Sequence, residues 1–317
     1  MFMADTLRSQ DESQYLNESR ERIAENFNQR AFEVRHSLTG HPLFELPRLR
    51  ELARFLLGKR EYQSVTCLTG SKERNSSWDD LDQAIDQVDD CLRELENEGR
   101  AWIILKNIVL DPDYKAVMDP IIRQVAEAAD SVGDGITWPE PYLFVSSPTF
   151  VTPYHIDHEA GLLLQIVGKK KFAVFPHDDR SVLTPKQIEQ FYMGDMSAAK
   201  LTPESEGKGA LFDLVPGNGV CFPSLAGHWA EVGDTYSVSL SIGFAQESCN
   251  ARAPVYQANH YLRKLGLSPA EPGRSRVRDA IKRAPIRWVS KRHPESMGEM
   301  LRSGIHRISA LTEKLRA

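Results

Sequence analysis

Cysteine is scarce in this chain of 317 residues: Cys67, Cys91, Cys221 and Cys249 are its only four, and no two form a CxxC pair. That scarcity argues against a disulfide framework or a zinc–thiolate site and fits reduced thiols in a cytoplasmic protein. No run of eighteen apolar residues occurs, so no membrane-spanning helix is expected. The first residues, MFMADTLRSQDESQ, lack the apolar stretch of a secretory signal. Internal repeats, low-complexity tracts, and helix-turn-helix or zinc-finger patterns are also missing, which makes nucleic acid an improbable partner. What remains is ordinary globular composition, 41% hydrophobic and 26% charged, with enough length to bury a full core.

Charge is unevenly spread. The net charge is −5, yet residues 251–317 carry fifteen lysines and arginines against five acidic residues. The basic residues alternate with apolar ones at helical spacing and form no dense run, as expected of a solvated helix pair. Apolar positions there, including Tyr261, Leu262, Leu265, Ile286, Trp288 and Val289, could pair two copies of the chain or pack on its body.

The periodicity predicts a polar helix within residues 11–35, a second over Leu46–Leu57 opened by Pro47, and a third over Trp78–Gly99, with Ser76 and Ser77 at its start. An extended segment and polar loop fall between the last two. Ala101–Val109 reads as a buried strand and Pro112–Ala129 as a helix. From Pro141 to Gly243, short β-rich runs alternate with turn signals, the pattern of an all-β sandwich or barrel. An insert from Asp178 to Gly209 interrupts it with a helical piece, and helices separated by a Pro269–Gly273 linker follow. The expected organisation is therefore a helical region over 1–100, an all-β jelly-roll over 101–248, and a basic helical region over 249–317.

Two clusters carry chemistry. In Thr152-Pro-Tyr-His155-Ile-Asp157, residues two apart in a strand share a face, so His155 and Asp157 can point together into a barrel. A third ligand must come from a distant strand, and His228 lies 71 residues later, ahead of another β-rich run. Two imidazoles and a carboxylate on one face suit a non-haem Fe(II) site, although His-x-Asp also arises as a surface contact. The second cluster is Gly168-Lys169-Lys170-Lys171. A hairpin turning at Gly168 would send Lys170, Phe172 and Val174 inward. A cation at the mouth of an apolar barrel calls for an anion, such as a dicarboxylate; Lys169 and Lys171 read as solvated.

TPYHIDHEAGLLLQIVGKKKFAVFP and PGNGVCFPSLAGHWAEVGDTYSVSLSIGF together resemble the JmjC-type, cupin-like Fe(II)/2-oxoglutarate oxygenases, particularly their asparaginyl-hydroxylase branch, over about Tyr142–Phe244. FEVRHSLTGHPLF is similar to uncharacterised bacterial cupin-like proteins. The resemblance implies a double-stranded β-helix (jelly-roll) flanked by helices, with iron held by His155, Asp157 and His228. Lys170 would bind the distal carboxylate of 2-oxoglutarate, with Thr152 sharing it. Two departures stand out: Gly161 and Ser241 fall where that branch has asparagines beside the co-substrate. Trp229 is expected to pack beside the metal.

The implied activity is hydroxylation of a protein side chain or small molecule, with N-demethylation an option through the same chemistry. The alternative is a non-oxygenase cupin, a small-molecule binder or a lyase/isomerase. Substrate selection is expected from the Asp178–Gly209 insert and the N-terminal helices; within the insert, Phe191 and Tyr192 read more readily as core than as a substrate platform.

Overall fold

A computed structural model of the chain describes residues 14–59, 64–69, 73–76, 88–96, 101–289 and 296–300. Among the described residues, eleven strands make two antiparallel sheets. β1 (Phe32–Arg35), β2 (Val65–Thr69), β3 (Ala101–Leu105), β4 (Ile136–Ser146), β6 (Ala160–Val167), β9 (Asn218–Phe222) and β11 (Ser237–Gln246) form a seven-stranded sheet in the order β1-β9-β6-β11-β4-β3-β2. β5 (Val151–His155), β7 (Lys170–Val174), β8 (Ala210–Leu214) and β10 (His228–Val232) form a four-stranded sheet in the order β5-β10-β7-β8.

Alternation along the strands sends one set of side chains between the sheets and the other outward. Leu163, Phe172, Val174, Val220, Phe222 and Ala230 pack together between the sheets. On the far side of the larger sheet, Leu162, Leu164, Leu240 and Ile242 meet residues of α1 (Arg20–Asn26), α2 (Leu46–Leu57) and α4 (Pro112–Ser131). The outer face of the smaller sheet is covered by α5 (Pro185–Phe191) and α7 (Glu247–Lys264), together with Met300. The jelly-roll expectation therefore holds, with helices on both outer faces.

Several boundaries differ from expectation. The N-terminal helix is only seven residues long, and Phe32–Arg35 is a strand paired with β9. Its alternating burial, with Phe32 and Val34 in and Glu33 and Arg35 out, is a period-two signal too short to stand out beside the helix-forming residues before it. β2 lies in the extended segment expected between the second and third helices, so β1 is the unexpected strand of the largely helical N-terminal region. β3 stops at Leu105 because Asn107 takes a left-handed backbone, and β11 runs past Gly243 to Gln246. α2 spans its expected residues, and α4, capped by Asp111, extends two residues further than expected. Of the expected third helix, α3 (Val88–Glu96) is present, while residues 78–87 and 97–99 lie outside the described residues. The linker separates α7 from α8 (Arg276–Val289).

All four cysteines are buried free thiols. Among the described residues, no helix is long and apolar enough to cross a membrane.

Candidate metal centre

β5 is an edge strand, where Pro153 can sit without breaking a hydrogen-bond ladder. Opposite it, β10 carries His228 directly across from His155, and Ala230 across from Thr152. Two residues of β5, Pro153 and Tyr154, thus face the single residue Trp229, which is a β-bulge. Thr152 and His155 are three apart and would point to opposite faces of a regular strand. The bulge sets each opposite a residue that faces between the sheets. Tyr154 and Trp229 face outward instead, into the helix-covered cluster. Trp229 therefore packs away from His228 rather than beside the metal site, with Arg74 stacked 3.9 Å from its ring centroid.

The strand ends at His155, so Asp157 stands in the loop after it, and its carboxylate still returns to the two imidazoles. One donor atom from each of His155, Asp157 and His228 lies within 4.8 Å of the others. Asp157 Oδ2 is 3.5 Å from His228 Nε2 and 3.9 Å from His155 Nε2. Each ring is oriented from behind: Nδ1 of His155 donates to the Pro153 carbonyl at 2.8 Å, and Nδ1 of His228 to that of Ala226 at 2.9 Å. With the proton on Nδ1, both Nε2 lone pairs face the carboxylate, as metal ligation requires. Burial, with His155 adding to it, lowers the His228 pKa to about 4, so its imidazole is neutral near pH 7. Two imidazoles and one carboxylate form the facial donor set of non-haem iron.

Lys170 opens β7 and is buried between the sheets, with Phe172 and Val174 on the same face, as the hairpin reading expected. Gly168 makes the turn at φ +73°, where a Cβ would also meet the Tyr236 carbonyl oxygen at 2.2 Å. Desolvation lowers the Lys170 pKa to about 7. Its Nζ donates to Ser239 Oγ at 2.8 Å, Ser239 donates to Gln165 Oε1 at 2.8 Å, and Gln165 Nε2 donates to Ser237 Oγ at 2.9 Å. On β11, Lys170 thus meets Ser239; Ser241 lies two residues further along, opposite Tyr142 and Leu163. Ser239 and Gln165 were missed from sequence. Their signal is the lone polar residue in GLLLQIV and the period-two serines of SVSLS.

Gly161 and Gly243 are partners at the centre of a row that reads Glu140–Gly243–Gly161–Phe222 across four strands. Phe222 fills the space over Gly161 and reaches His228, ring centroids 4.7 Å apart. Tyr142 donates to Glu140, and Glu159 accepts from Trp138 Nε1 at 3.3 Å. Phe191 and Tyr192 are fully buried, in keeping with the core reading of the pair, because the insert's helix packs its aromatic end against α7. Leu265 on the C-terminal side is exposed while Ile286 is buried; the Trp288 and Val289 side chains lie outside the described residues.

A family model described as a cupin-like domain matches residues 6–272, and no curated protein matches the chain. Solved structures of Escherichia coli YcfD align with it. One has 13% identity and a TM-score of 0.47, over 84% of this chain and 66% of that one. Another, described as a ribosomal oxygenase in complex with cobalt and 2-oxoglutarate, gives 14%, 0.46, 84% and 65%. The chain thus spans just under two thirds of the length of these structures. A DMSP lyase, DddQ of Ruegeria pomeroyi DSS-3, aligns over 34% of this chain and 39% of its own, with 14% identity and a TM-score of 0.23. The matched model crosses all of the jelly-roll and most of the helices packed on it, and the chain belongs to the cupin-like domain family.

Proposed function

We propose that the chain is an Fe(II)/2-oxoglutarate-dependent oxygenase, a hydroxylase of a protein side chain or small molecule. The observation that carries this reading is the pairing, inside one barrel, of a His155–Asp157–His228 donor set with a buried lysine that, among the described residues, bonds Ser239 and meets no acidic side chain. His155, Asp157 and His228 would hold the iron, and the backbone carbonyls behind the two rings fix their Nε2 atoms toward it. Lys170 would neutralise the distal carboxylate of 2-oxoglutarate, with Thr152 supplying a hydroxyl and Ser241 standing nearby. Phe172, Phe222, Leu163 and Val220 line the interior and exclude water. Iron and 2-oxoglutarate, when bound, supply the oxidising chemistry that the side chains lack.

The test is succinate release from 2-oxoglutarate by the purified, Fe(II)-loaded protein. His155→Ala and Asp157→Ala should abolish it; turnover that survives both changes, or wild-type protein that binds no iron, overturns the reading.

A second reading, a cupin whose metal only polarises its substrate, is favoured by Phe222 over Gly161, which narrows the co-substrate end of the site. Metal binding without 2-oxoglutarate binding, unaffected by Lys170→Ala, would select it. A cytoplasmic location, a catalytic segment over 101–248 and pairing of two copies through the C-terminal helices belong to the same proposal.

A further inference from the structure

His158, the residue after Asp157, is wholly buried, and both of its ring nitrogens are engaged. Nε2 lies 2.8 Å from Asn250 Oδ1 on α7, and Nδ1 lies 3.0 Å from the Tyr192 hydroxyl at the end of the insert helix. The proton positions follow from the groups beyond. Asn250 Nδ2 donates to Thr137 Oγ1, and Thr137 donates to the Ala245 carbonyl. Asn250 therefore presents its oxygen to His158, so Nε2 carries the proton and Nδ1 accepts from Tyr192. The imidazole also stacks on Trp138, ring centroids 5.8 Å apart.

The backbone on either side of this ring is held as well. Ser224 Oγ donates to the His158 carbonyl at 2.6 Å, and Leu225 N donates to the Asp157 carbonyl at 2.8 Å. Leu225 takes a left-handed backbone at φ +62°, which brings that amide round. Ser224 is itself fixed by Asn28, whose Oδ1 accepts from its amide at 2.9 Å. The segment Pro223–Gly227 leads directly into His228. The loops carrying the second and third ligands are therefore tied to each other by two hydrogen bonds, and His158 anchors the assembly to the insert and to α7.

We propose that His158, Ser224 and Tyr192 are positioning residues that set the Asp157 carboxylate against the two imidazoles, so that metal affinity depends on an insert and a helix lying outside the barrel. This rests on the metal-site reading above. Ser224 acts through the His158 backbone carbonyl and Tyr192 through the His158 ring, and none of the three is a metal ligand. Loss of an outer partner of a metal ligand ordinarily weakens binding by about 10–100-fold.

The experiment is calorimetric titration of the full chain with Co(II) alone, together with the visible d–d spectrum of the complex, which reports ligand geometry independently of turnover. Ser224→Ala and Tyr192→Phe are each expected to weaken Co(II) binding about tenfold or more and to alter the band positions. Asp111→Ala, which removes the cap of α4 and shares no hydrogen bond with this network, serves as the stability control and should leave both unchanged. Wild-type affinity and spectrum in Ser224→Ala and Tyr192→Phe, even with a lowered melting temperature, would overturn the proposal. So would an equal loss in the control. Failure of the wild-type protein to bind Co(II) would instead remove the metal-site reading itself.

Discussion

The ring of Phe222 lies across Gly161, its register partner, so closely that a Cβ at position 161 would sit 2.1 Å from the ring's far edge. Phe222 has nowhere easy to go, since Phe172 and His228 flank it with ring centroids 5.2 and 4.7 Å away. Gly161→Ala should therefore cost about 1–3 kcal/mol, the usual range for overpacking a core. Gly161→Asn, which installs the residue found in the asparaginyl-hydroxylase branch, should cost at least as much. Urea denaturation measures both, and combining either with Phe222→Ala should recover part of the loss. Full additivity of the two changes would contradict the packing described.

Lys170 gives the chain a pH signature. Its folded pKa, about 7, lies below the unfolded value, so between about 7 and 10.5 the unfolded chain holds a proton that the folded chain has released. The destabilisation is complete below pH 7 and is relieved as pH rises through that window. A dicarboxylate that restores the ammonium must bring a proton with it, so 2-oxoglutarate affinity should fall as pH climbs from 7 to 10. Calorimetry in buffers of different ionisation enthalpy should show proton uptake at pH 8.5, and Lys170→Met should abolish it.

Gly168→Ala should do two things at once. A left-handed backbone disfavours any Cβ by about 1–3 kcal/mol, and the Tyr236 carbonyl blocks the space besides. Because this turn leads straight into Lys170, KM for 2-oxoglutarate should rise together with the loss of stability, while Co(II) affinity stays near wild type. A parallel loss of metal affinity would show that the hairpin and the donor set are not separable.

On the other side of the molecule, Arg263 pairs bidentately with Glu189 at 2.8 and 2.9 Å, and the glutamate is 1% exposed. Arg263→Ala strands a buried carboxylate and should destabilise the fold by about 3 kcal/mol. Glu189→Leu added to it should recover most of that, as measured by denaturant midpoint.

The strands of the barrel and the three metal-site residues were legible because alternation, turn residues and the His-x-Asp spacing are local signals. Four things were not. The bulge that sets both Thr152 and His155 inward depends on cross-strand register, which no single strand displays. The contact of Ser239 with Lys170 was hidden because the closing strand's phase relative to Lys170 is set by the packing of one sheet on the other. His158 and Ser224 read as ordinary loop residues, since their partners lie 92 and 196 positions away, at Asn250 and Asn28. Phe191 and Tyr192 could be weighed only as more readily core than platform, because aromatic residues in an insert are ambiguous until the helix covering them is known.

Both margins of the seven-stranded sheet, β1 and β2, come from the first hundred residues. A fragment cut to 101–248 would keep every proposed ligand and still bare two rows of unpaired amides and carbonyls along β9 and β3. Such raw borders recruit one another. Expressed alone, that fragment should precipitate through strand-to-strand association, so the N-terminal segment works as the selvedge of the barrel, the woven border that keeps it from unravelling into its neighbours.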